Sequence, residues 1–167
     1  MEKIDIAIFW IFNYIYKHYY SRMYYPINNT ENITPEMCLA AVQQNGEAIQ
    51  YIKNPTLEMC FTAVQKSWQA IKYIESPTPE ICLAAVQENG WAIKHIESPT
   101  PEMCLAAVQN DGKALVCIKN PTPEVCLVAV QQNWETIKNI RNPTPEMCFA
   151  AISKCGSAIK FIERPTP

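Results

Sequence analysis

From Thr34 onward the apolar positions recur in a fixed order every 22 residues: a dense run such as MCLAAV, a polar gap, a sparser group such as Ala48, Ile49 and Ile52, and a closing proline. Threonine opens each copy, at Thr34, Thr56, Thr78, Thr100, Thr122 and Thr144. Six complete copies fill 34–165, and Thr166 and Pro167 open a seventh. A period of this length marks supersecondary units that complete one another's core by stacking. The pattern predicts an all-α chain, an α-solenoid of six helix-turn-helix repeats preceded by an N-terminal capping helix.

Within each copy the signals for helix start and stop are explicit. Threonine supplies an N-cap oxygen, proline fits the first helical position, and glutamate sits in the electropositive first turn. The run that follows is apolar on nearly every side for two turns, as expected of a helix packed between neighbours. Asn45-Gly46, Asn89-Gly90 and Asp111-Gly112 match a left-handed glycine stop. A short amphipathic second helix comes next, and the residue before each closing proline is driven out of helical geometry. Such short helices are marginal alone in water, so stacking must supply their stability. Trp68 and Trp134 stand where glycine is expected, and a left-handed cap is costly for a bulky residue, so a different turn is expected there.

Residues 1–26 break the period with a block rich in aromatic residues, including Phe9, Trp10, Phe12 and Tyr16. The apolar stretch from Ile6 to Ile15 is well short of the roughly 20 residues a membrane span needs. Asp5, Asn13 and the lack of a small-residue cleavage site argue against a signal peptide. A helix capping the first repeat remains, with self-association or contact with a membrane surface as the alternatives. Residues 27–33 then form a polar linker, in which the sequons at Asn28 and Asn32 are read as chance.

Composition narrows the function classes. Fourteen basic and sixteen acidic residues are spread along the chain for a net charge of −2, which supplies no field to attract nucleic acid. Eight cysteines would signal a disulfide scaffold in a small secreted chain. Here six of them, Cys38, Cys60, Cys82, Cys104, Cys126 and Cys148, recur at the repeat period inside apolar runs, and so read as buried free thiols in a reducing, cytoplasmic setting. Cys117 and Cys155 lie off this ladder and are the more reactive candidates. No close ligand spacing for zinc occurs, and His95 stands alone among repeated glutamates and lysines. No catalytic residue, metal or cofactor is expected.

What varies between copies is informative. One equivalent site reads Glu47, Gln69, Trp91, Lys113, Glu135 and Ser157, and a second reads Tyr51, Tyr73, His95, Cys117, Asn139 and Phe161. Two variable rows on a constant frame are how a solenoid encodes a binding surface, although free drift would also vary them. Trp68, Trp91 and Trp134 gather at the inter-helix turn, either as contact residues or as lids on the local core.

The unit TPEMCLAAVQQNGEAIQYIKNP resembles the short helical repeats of the form TxEICLAAVxxNGxALxYI in multicopy protein families of amoeba-infecting giant viruses and some bacteria, a family of unknown function. The likeness covers 34–165 and departs at Trp68, Trp134 and Cys155. It implies a helical repeat protein of viral origin with no established activity, in host cytoplasm or virion, and transfers no catalytic residue. The expected function is a protein-interaction scaffold with a protein partner. The alternative is a structural or assembly protein that self-associates, for instance as a homodimer, through its N-terminal helix or its last repeat.

Overall fold

A computed structural model describes residues 34–162 of the chain. The expected aromatic helix over 1–26 with Phe9, Trp10, Phe12 and Tyr16, the linker over 27–33 and the incomplete copy at 166–167 lie outside the described residues.

Each repeat opens with a ten-residue α-helix: α1 (Pro35–Gln44), α2 (Leu57–Lys66), α3 (Pro79–Glu88), α4 (Pro101–Asn110), α5 (Pro123–Gln132) and α6 (Pro145–Lys154). The threonine before each helix is extended and accepts a hydrogen bond from the backbone N–H three residues on, as Thr100 does from Met103 at 3.2 Å. First-turn glutamates complete the start. The Thr34 and Thr78 hydroxyls hold the Glu36 and Glu80 carboxyls below their ordinary range.

The second segment is wound more tightly than expected. Gly46–Tyr51, Trp68–Tyr73, Gly90–His95, Gly112–Cys117 and Trp134–Asn139 are six-residue 3₁₀ helices, and Ile49 and Ile52 are spaced by one 3₁₀ turn. In repeat 6 the 3₁₀ segment shortens to Gly156–Ala158 and passes directly into α7 (Ile159–Ile162). Among the described residues there is no strand.

The turn between the two helices corrects two expectations. No glycine among the described residues has a positive φ, so Asn-Gly is not a left-handed stop. Instead Asn45, Asn89, Asp111 and Asn133 are extended, end the α-helix, and cap the 3₁₀ helix by accepting from the N–H two residues on. The glycine answers to its neighbour: a Cβ on Gly46, Gly90 or Gly112 would lie 2.3, 2.3 or 2.6 Å from the carbonyl oxygen of Ala63, Ala107 or Ala129 in the following repeat. Trp68 and Trp134 do not change the turn either. The preceding Ser67 (φ −153°, ψ 111°) and Asn133 (φ −141°, ψ 105°) match Asn89 (φ −155°, ψ 120°). A conformation that never entered the left-handed region has no penalty to impose on tryptophan.

The repeats fall into two compact units, meeting in sequence at Pro77 and Thr78, each an α-solenoid segment. In the first, α2 packs on α1 and on the 3₁₀ helix of repeat 1. In the second, α3 to α6 stack in order, and the 3₁₀ helices of repeats 3, 4 and 5 pack against the α-helix of the next repeat. The buried line is the same in repeats 1 to 5: Val42, Val64, Val86, Val108 and Val130 are fully enclosed, with Ile49, Ile71, Ile93, Leu115 and Ile137 beside them. Of the MCLAAV-type run only one face is sealed, for example Met59, Cys60, Ala63 and Val64, while Phe61 and Thr62 are half-buried. In repeat 6 the line surfaces, with Ile152 38% and Ile159 46% exposed.

Candidate interaction surface

The 3₁₀ helices carry both variable rows along one edge of each unit. In the first row Glu47, Gln69 and Trp91 are half-buried, while Lys113, Glu135 and Ser157 are exposed. In the second, Tyr51, His95, Asn139 and Phe161 are exposed, and Tyr73 and Cys117 are half-buried. Trp68 and Trp134, each first in its 3₁₀ helix, are also half-buried.

Contacts between successive repeats tie the rows together. The Tyr73 hydroxyl donates to the Glu47 carboxylate at 3.3 Å, and Lys72 approaches the same carboxylate at 3.9 Å while lying 4.6 Å above the Tyr73 ring. Tyr73 and then Glu47 hold the Lys72 ammonium above its usual range. The indole N–H of Trp91 donates to Asp111 of the next repeat at 2.8 Å, and the Trp134 ring lies 6.4 Å from that of Phe161. These tryptophans therefore serve as lids and rivets between repeats, and the exposed part of the rows outside these contacts includes Tyr51, Lys113, Glu135 and Asn139. Sequence reasoning missed Asp111 and Asn110. Asn110 accepts from the Gly90 N–H at 2.9 Å and donates to the Gln87 carbonyl at 3.0 Å, clasping the turn of the preceding repeat. Both act across a register that one copy's sequence does not display.

Val116 was also missed, although it carried a signal. Its equivalents are Gln50, Lys72, Lys94, Lys138 and Lys160, so it is the apolar exception in a polar row, and it is 57% exposed.

The eight cysteines are free. Cys60, Cys82, Cys104 and Cys126 are buried, and Cys38 and Cys148, in the first and last repeats, are half-buried. Burial pushes the Cys38, Cys60, Cys82, Cys104 and Cys126 thiols up, away from thiolate. The off-ladder pair divides. Desolvation raises Cys117 against the opposing pull of Lys94, whereas a 3.0 Å hydrogen bond with Ser157 lowers Cys155. Among the described residues, no three His, Cys, Asp or Glu side chains form a group able to hold a metal, and no helix is long and apolar enough to cross a membrane. No family model, curated protein or solved structure matches the chain.

Proposed function

We propose that the chain is a non-enzymatic interaction scaffold that recognises a protein partner along its 3₁₀-helix edge. The observation that carries this reading is the contrast between a uniform frame and a varied edge. The N-cap threonines and core valines repeat almost unchanged, while the exposed Lys113 and Glu135 differ in charge at one equivalent site and the exposed Asn139 stands where Tyr51 and His95 stand in the other row. Frame positions are fixed by packing, so an edge free of that constraint is where recognition resides. The repeat resemblance supports a viral origin, and eight unpaired thiols support a reducing compartment such as host cytoplasm. Affinity capture with the full chain tests it, alongside the Lys113→Ala/Glu135→Ala/Asn139→Ala variant. A protein retained by the first and lost by the second is expected; capture indifferent to the three changes counts against it.

Self-association is the second reading, favoured by the apolar exposure of repeat 6, where Phe149 is 74% exposed alongside Ile152 and Ile159. Light scattering on the full chain and on one starting at Asn28 separates its two forms. A dimer in both supports association through repeat 6, a dimer in the full chain alone supports the aromatic N-terminal segment, and monomers in both reject self-association.

A further inference from the structure

Between repeats 4, 5 and 6 lies an open groove of about 540 Å³, wholly within the second unit. Leu115, Val116, Ile140 and Met147 are among its apolar lining, and Lys119 and Arg141 among its polar lining; among the described residues no carboxylate lines it. Two features set this place apart from the rest of the array. The sites equivalent to Lys119 read Lys53, Glu75, Glu97, Lys119, Arg141 and Glu163, so cations stand side by side only in repeats 4 and 5. Beside them Val116, 57% exposed, replaces the glutamine or lysine found in every other repeat. Neither cation makes an ion pair with a described residue.

An exposed apolar residue flanked by two cations that pair with no described residue is complementary to a ligand with apolar side chains between two carboxylates. Packed helices of neighbouring repeats stand about 8–10 Å apart. A polyproline-II chain, extended with three residues per turn, advances about 3.1 Å per residue, so acidic residues three apart lie on one face and span the same interval. Building on the scaffold reading, we infer that this groove docks an extended acidic peptide of the pattern Glu-apolar-apolar-Glu, with Lys119 and Arg141 pairing its carboxylates and Val116 contacting its apolar residues.

Fluorescence anisotropy with the full chain and a labelled Gly-Glu-Leu-Ile-Glu-Gly peptide tests this. Saturable binding is expected, weakened at least about tenfold by Lys119→Glu/Arg141→Glu and also by Val116→Gln, which installs the residue repeat 1 carries. The peptide with lysine in place of glutamate, or glycine in place of Leu-Ile, should not bind. All altered residues are exposed, and circular dichroism of the variants confirms their fold. Binding unaffected by these changes, binding to anionic vesicles but not to the peptide, or no binding at all overturns the inference. Capture repeated with Lys113→Ala/Glu135→Ala alone reports separately on the scaffold reading, because neither residue lines the groove.

Discussion

A single hydrogen atom in place of a methyl group sets how closely two repeats approach at Gly90 and Gly112. With an added Cβ 2.3 or 2.6 Å from a backbone oxygen, no side-chain rotation relieves the overlap and the stacked helix itself must move. Gly112→Ala should therefore cost about 1–3 kcal/mol in urea unfolding, the usual penalty of overpacking. Gly156 meets nothing within 4 Å, so Gly156→Ala should stay within about 0.5 kcal/mol of the parent. Equal effects at the two sites would refute the close-approach explanation. The same geometry explains why the glycine misleads in sequence: Asn-Gly suits a left-handed stop, and the real constraint is an alanine carbonyl in the following repeat. Thiol chemistry differs by residue in the same way. Cys155, lowered by Ser157, should react with iodoacetamide before Cys60, Cys82, Cys104 and Cys126, whose burial both shields the sulfur and suppresses the thiolate. Mass spectrometry of briefly labelled native protein reads the order, and early modification of the buried four would show that the repeats open easily.

Caps decide where the elements begin, and here the sequence was most transparent. Threonine, proline and glutamate satisfy the first turn with local bonds, so a window of four residues carries the whole signal. The second element was legible as a helix but not as a 3₁₀ helix, because a six-residue segment contains too few turns for its period to be told from that of an α-helix. Asp111 shows what lies beyond local reading. It caps Lys113 within its own repeat and accepts from the Trp91 indole of the preceding one, so Asp111→Ala should destabilise by roughly 1–3 kcal/mol through two lost bonds. Asp111→Asn keeps an acceptor for the cap, as Asn89 does, and should cost less than half as much. The first-turn glutamates set a pH dependence of definite sign. Glu36 and Glu80 have folded pKa values below the ordinary carboxylate value, so their contribution is complete above that value and fades as the pH falls through the folded one. Glu36→Gln/Glu80→Gln should flatten the acid limb of urea midpoints against pH and leave the neutral-to-basic side parallel to the parent.

At the scale of the whole molecule, stability is a sum over neighbours, and the repeats should be separable in a way a globular core is not. Excising Thr100–Pro121 joins repeat 3 to repeat 5. The step it creates sets Gly90 against the carbonyl of Ala129, the same glycine-to-alanine approach found at the two steps it removes. Caps and core match as well, since Thr122 and Val130 replace Thr100 and Val108. Two contacts to repeat 3 are lost: Asn110, which ties down its turn through Gln87 and Gly90, gives way to Gln132, and Asp111, which accepts from the Trp91 indole, gives way to Asn133. The shortened chain should keep its helicity per residue by circular dichroism. Its urea m-value should fall by roughly one-sixth, in proportion to the surface one of six repeats buries. Collapse of the fold instead would mean that the repeats are not interchangeable and that repeat 4 holds the unit together. The excision also removes Val116 and Lys119, so a folded product should have lost the acidic peptide while keeping Glu135 and Asn139 on its edge. A folded chain that still binds the peptide would assign recognition to the repeating frame in general, whereas a folded chain that does not would place it in the irregularities of one repeat.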